Sequence, residues 1–217
     1  MSSSNPSGQP PALHQLAPAT AAIAALCVLF WLAEFLFPEF IGVGMALIPA
    51  RLTGYLTLVD AAVPAILTPL SMTFVHGGFG HLALNMVFLV FVGRFVEPLL
   101  GTARFLTLYF VSAVAGAMLE TALAPESVVP HVGASGAISG VFAAHAMIFG
   151  RRRGNQTERN RALQLAAVWI GLQLLIGFVF NSGADGTGGI AIWAHVGGFV
   201  AGLILALPLA RAAIAAR

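Results

Sequence analysis

The sequence predicts an all-α membrane protein: a bundle of six transmembrane helices with a long interfacial first loop. Three observations lead there. Of 217 residues, 59% are hydrophobic and only 8% are charged, against about a quarter charged in soluble domains. Six stretches approach the roughly 20 apolar residues that a bilayer crossing needs: 19–37, 79–99, 103–123, 134–150, 162–181 and 191–210. The ten basic residues are all arginines, and nine of them fall on one side of such a bundle.

Residues 1–18 (MSSSNPSGQPPALHQLAP) are rich in Ser, Pro and Gly with little to bury, which predicts a disordered cytoplasmic tail that includes His14. Residues 19–217 form the expected membrane domain. No Lys or Arg occurs between Met1 and Thr20, so the basic start of a cleaved secretory signal is missing. Cys27 is the lone cysteine and lies inside the first apolar run, which excludes an intrachain disulfide and argues against a thiol catalyst. The first loop, residues 38–78, is too long for a tight turn and mildly apolar. It is expected to lie in the outer interface as short amphipathic helices.

Orientation follows from arginines in short loops. Arg94 and Arg104 flank the second connection, five arginines from Arg151 to Arg161 fill the fourth, and Arg211 and Arg217 end the chain, with Arg51 alone opposite. Both termini are therefore expected in the cytoplasm of a multi-pass protein in a bacterial inner (plasma) membrane. The basic loop RRRGNQTERNR is accounted for by topology, so nucleic acid is not an expected partner; the lipid bilayer is. No Gly-rich phosphate loop, CxxC or HExxH occurs, leaving phosphate chemistry and zinc hydrolysis unsupported. No metal or cofactor is expected.

Polar groups inside a membrane span are costly and by default suggest function. Here they cluster: His76, His81 and Asn85 in VHGGFGHLALNM at the start of the second span, Ser135 at the opening of the fourth, and His195 early in the sixth. Ser135 lies 16 residues before Arg151 and His195 lies 16 before Arg211. At 1.5 Å per residue each is about 24 Å from its cytoplasmic boundary. His81, about 20 Å from Arg94 by the same rise, approaches that level with Asn85 on the same helix face. A serine hydroxyl needs a base to become a nucleophile, and histidine suits that task and protonation of a leaving amine. Ser135 and His195 would be that pair, with His81, Asn85 and the Ser135 amide as oxyanion donors.

Plainer readings stand beside these. Gly136 and Gly140, or Gly198 and Gly202, have the spacing of close helix packing in membranes, and Ser135 suits the same use. His76 and His81 could tie down the first loop, or serve a proton relay in a transporter. His145, about 15 Å deeper than Ser135, reads as packing, and His131 belongs to the third loop. Glu34, Glu97 and Glu120 lie near helix ends within reach of headgroups, with Arg94 a candidate partner for Glu97, and read as structural. Asp185, in the Gly-rich stretch NSGADGTGGI, is a weak third member for a triad. The elbow GxSxG of soluble hydrolases is absent, because Ala137 follows Gly136.

The combination resembles the rhomboid family of intramembrane serine proteases. GASG with Gly140 (133–140) is similar to its GxSG motif, AHVGGFVAG (194–202) to its AHxxGxxxG, HGGFGHLALNM (76–86) to its HxxxxHxxxN, and EPLLGTARFLTLYF to its run into the third helix. The resemblance implies a six-helix fold in which Ser135 is the nucleophile, His195 the base, His81 and Asn85 oxyanion donors, and His76 a support. It implies hydrolysis of peptide bonds in or beside transmembrane segments of protein substrates, without a cofactor; a silent, client-binding relative would lack Ser135 or His195. Two positions depart from the family: Ser139 stands where many members carry an aromatic residue packed on the catalytic histidine, and AILTPLSM lacks the first-loop Trp and Arg pair. A packing partner is then expected from elsewhere.

Overall fold

Pro18, whose fixed φ and missing N–H suit a first helical turn, starts the first long helix, α1 (Pro18–Glu34). Next along the chain come α2 (Phe79–Leu100), α3 (Thr102–Leu123) and α4 (Ser135–Gly150). The helical residues 167–173 are called α5, and α6 spans Ile192–Ala215. The structure, a computed structural model, describes residues 12–57, 62–150, 156, 157, 160, 164, 167–173, 175 and 191–216. Most of the expected tail lies outside them, while Leu13–Leu16 forms one helical turn. Of the expected span 162–181, the helical residues 167–173 are its continuous described part.

The protein is a helical membrane protein. By length and apolarity α2, α3 and α6 suffice to cross a bilayer; α1, α4 and residues 65–74 are shorter apolar helices. Between α1 and α2 the chain makes short turns at Glu39–Gly44, Pro49–Leu52, Ala65–Leu67, Thr68–Ser71 and Met72–Phe74. Arg51 ties this segment together, donating to the carbonyls of Gly44 and Val63 at 3.4 and 2.8 Å. Its Leu47 exchanges both backbone hydrogen bonds with His131 (3.0 and 2.7 Å), joining the first loop to the third. One residue, Gly101, connects α2 to α3 with φ +81°, a left-handed conformation that glycine adopts without steric cost.

The centre is built from α3, α4 and α6, with α6 packed mainly on the other two. Between lipid-immersed helices there is little hydrophobic drive, so small residues that let backbones touch decide the packing. A Cβ on Gly198 would strike the Gly136 carbonyl, and one on Gly202 the Gly140 carbonyl. A Cβ on Gly197 would come within 2.7 Å of the Ala115 carbonyl. In α2 the buried residues Leu82, Asn85, Leu89, Val92 and Val96 follow helical spacing, while Phe79, Leu84, Val87 and Phe95 face outward. Phe105, Leu108, Tyr109, Ile138 and Phe142 fill the core.

Glu97 and Glu120 are structural, as expected, but differ in where they reach. Glu97 is not at a headgroup, nor is its carboxylate engaged by Arg94. It is 1% exposed and accepts hydrogen bonds from the Ala19 and Thr20 amides, the Thr20 hydroxyl and the Thr102 hydroxyl. Arg94 instead lies over the Phe95 ring, 4.7 Å from its centroid. The reason is that α1 has no side-chain cap of its own, and its unpaired first amides are met by a carboxylate from α2. Glu120 is buried as well and accepts from the Ala194 amide.

Candidate active site

Ser135 is the first residue of α4, the end where amides lack intrahelical partners and the dipole favours negative charge. The chain enters through Gly133, φ +119°, whose amide donates to the Met72 carbonyl at 2.9 Å. Glycine is required there twice over. The left-handed backbone disfavours a side chain, and a Cβ would fall 2.7 Å from both Cε1 and Nε2 of His81 and 3.8 Å from Ser135 Oγ. His81 and Ser135 thus flank Gly133 from two helices.

His195 stands in the first turn of α6. Its Nε2 lies 2.6 Å from Ser135 Oγ, a short hydrogen bond between residues 60 apart in sequence. The glycine contacts of α4 with α6 set this distance, since each would be lost if a methyl group separated the backbones. His195 is buried, and its Nδ1 has no hydrogen-bond partner among the described residues. Asp185 lies outside the described residues.

Of the other sequence-predicted residues, Asn85 donates from Nδ2 to the His81 carbonyl at 2.9 Å, and its Oδ1 has no partner among the described residues. His76 is fully buried and meets the His81 ring edge-on at 5.2 Å between centroids. Burial and the neighbouring His81 push its pKa down to about 4, so it is neutral at physiological pH. His145 packs against Phe149 and Phe95, in keeping with its reading as a core residue. Cys27 is buried and donates to the Thr73 carbonyl at 3.6 Å.

One contributor was not singled out from sequence. Trp169 of α5 is 2% exposed, stacks on Phe142 (4.6 Å, 9°) and donates from Nε1 to Ser139 Oγ at 2.9 Å. Trp169, Ser139 and His195 line a groove of about 200 Å³ together with Gln173 and apolar residues including Ile170, Val196 and Phe199. The signal that could have found it is the missing aromatic at Ser139, combined with a tryptophan in the fifth apolar stretch.

The arrangement defines a class: a helical membrane protein in which the starts of two packed helices hold a serine and a histidine in hydrogen-bond contact. The Rhomboid domain family model matches residues 64–212. This chain belongs to the rhomboid family. It is 32% identical over 149 residues to rhomboid protease GluP of Bacillus subtilis (strain 168), covering 68% of this chain and 27% of that protein. Rhomboid-like protease 3 of Toxoplasma gondii is 33% identical over 144 residues, covering 64% and 49%. Putative rhomboid protease YdcA of Bacillus subtilis (strain 168) is 28% identical over 192 residues, covering 88% of each chain. The chain thus spans less than half the length of the first two relatives.

Proposed function

We propose that this chain is an intramembrane serine endopeptidase that hydrolyses peptide bonds in or next to transmembrane segments of other membrane proteins. The observation that carries the reading is the 2.6 Å contact between Ser135 Oγ and His195 Nε2. Family membership and the names of the relatives agree with it.

In this mechanism Nδ1 of His195 holds the ring proton, so Nε2 accepts the Ser135 hydroxyl proton as Oγ attacks the scissile carbonyl carbon. The carbonyl oxygen becomes an oxyanion. The Ser135 amide, at a helix start, and the His81 ring donate to it; Asn85 joins them by turning its amide away from the His81 carbonyl. A donor of this kind contributes about 3 kcal/mol when held in place beforehand. The C–N bond then breaks as the imidazolium gives its proton to the leaving amine, leaving an ester on Ser135. Water, deprotonated by His195, attacks that ester, releases the carboxylic acid and restores the serine. His76 supports the His81 ring from behind. No metal or cofactor takes part.

The membrane domain in this reading comprises residues 19–217 as six helices, with both termini cytoplasmic in a bacterial inner membrane. The first loop lies in the outer interface. At 1.5 Å per residue, α4, with its 16 residues, extends about 24 Å, short of the roughly 30 Å hydrocarbon core. Ser135 then sits just below the outer surface, within reach of water. A substrate helix must unwind to expose its scissile carbonyl, so segments with helix-destabilising residues are cut in preference to uninterrupted Leu helices.

The test is labelling of the detergent-purified protein with a fluorophosphonate probe. Labelling of the native chain, lost in Ser135→Ala and reduced in His195→Ala, is expected. Equal labelling of all three overturns the dyad, and an unlabelled native chain favours a silent, client-binding relative.

A further inference from the structure

The helix that carries His195 has no cap of its own. Its N-cap, Ala191, offers no side-chain hydrogen bond, although the first amides of any helix lack intrahelical acceptors. The acceptor comes from α3: Glu120 Oε2 takes the Ala194 N–H at 3.1 Å, an amide shared with the Ala191 carbonyl at 3.1 Å. Ala194 is the residue before His195.

Packing brings this carboxylate there. Gly116 and Glu120 are four apart, hence on one face of α3. A Cβ on Gly116 would strike the Ala194 carbonyl, so the backbones of α3 and α6 touch at that level, and one turn further on Glu120 reaches the opening turn of α6. A carboxylate at a helix N-terminus also interacts favourably with the helix dipole. His131 also faces Glu120, with its Nε2 3.8 Å from Oε1. Burial lowers the pKa of His131, which favours its uncharged ring. The third loop holds His131 in place through its backbone pairing with Leu47.

We infer that Glu120 is a positioning residue for the proposed reaction: it fixes the first turn of α6 and thereby holds the His195 imidazole against Ser135. The inference rests on the protease reading for its kinetic consequence and on the helix cap for its structural one. Glu120 touches neither substrate nor the reacting atoms. Its loss therefore acts on the chemical step through His195 rather than on substrate affinity.

The experiment compares Glu120→Ala, Glu120→Gln and Glu120→Asp in detergent, using a transmembrane-segment substrate, fluorophosphonate labelling and amide hydrogen exchange over residues 192–195. Glu120→Ala is expected to lower kcat by about tenfold, the scale of one charge-assisted hydrogen bond, with KM essentially unchanged and faster exchange at the start of α6. Glu120→Gln keeps an acceptor oxygen at the same reach and should recover most of the rate. Should the alanine variant fail to fold, Glu120→Asp takes its place; its carboxylate is one methylene short, and it should be slower than the glutamine variant. Native kcat and native exchange in the alanine or aspartate variant overturn the inference. So do equal rate losses in all three variants that track a common loss of thermal stability, because that pattern marks a purely structural group. Failure of the protease reading looks different: the native chain stays unlabelled, while exchange at 192–195 still decides whether Glu120 holds α6.

Discussion

Ser139 Oγ accepts the indole N–H of Trp169 at 2.9 Å and donates to the Ser135 carbonyl at 2.8 Å, so α5 is hydrogen-bonded to the opening turn of α4. Trp169→Phe keeps an aromatic ring against Phe142 and removes the donor. It should cost about 1 kcal/mol of stability and slow fluorophosphonate labelling a few-fold. Ser139→Ala should do the same, and the double variant should be no worse than either single one. A double-mutant cycle in thermal stability checks this: additive losses would show that the two side chains act independently.

Glu97 presents the largest expected effect on folding. Its carboxylate takes four hydrogen bonds, at 2.8, 2.8, 2.8 and 3.0 Å, and joins the start of α1 to the junction of α2 and α3. Glu97→Ala strands buried amides of α1 and should cost at least about 3 kcal/mol, since bonds to a charged acceptor contribute roughly 1.5 to 3 kcal/mol each. Glu97→Gln, which retains one acceptor oxygen, should lose less. Thermal melting of both variants in the same detergent distinguishes them, and a native melting point for Glu97→Ala would refute the capping role.

The contact of α4 with α6 sets a steric prediction. Gly198→Ala drives a methyl group into the Gly136 carbonyl, and neither helix backbone can yield without separating Ser135 from His195. Labelling should fall by more than tenfold, as expected when reacting groups are displaced by about an ångström. Gly171→Ala, where a Cβ meets nothing within 4 Å, is the matched control and should label as the native protein does.

Acid should destabilise the fold through its buried histidines. The pKa of His76 falls from 6.5 to about 4 on burial beside His81, while the unfolded chain protonates near 6.5. The unfolded state therefore binds the proton first as pH drops. The contribution of a neutral His76 is fully present above pH 6.5 and is lost as pH falls through about 4, up to about 3 kcal/mol over that window. His131, lowered by burial as well, adds with the same sign. His76→Gln should flatten the dependence of melting temperature on pH between 6.5 and 4; an unchanged slope would contradict this assignment.

Helix starts were legible because punctuation marks them. The expected starts at 79, 103, 134 and 191 fall within one residue of the observed Phe79, Thr102, Ser135 and Ile192, three of them directly after glycine or one residue beyond it. The first span ends three residues early, at Glu34 rather than 37. Equal depth of Ser135 and His195 could be counted from the arginines. What could not be counted is which face of each helix is buried, because lipid makes the outward residues apolar too. The backbone amides that Glu97 and Glu120 cap lie 74 to 78 residues away in sequence, and no local pattern connects a carboxylate to an amide at that distance.

The span of 60 residues between Ser135 and His195 also orders events in time. During synthesis α4 is made well before α6, so under the proposed protease reading a growing chain carries the serine without the imidazole that would activate it. In that reading, reactivity arises only when the glycines of α6 dock on α3 and α4. For a protease of this kind, assembly of the bundle would act as a safety catch, withholding hydrolysis from the nascent chain and from its neighbours at the insertion site.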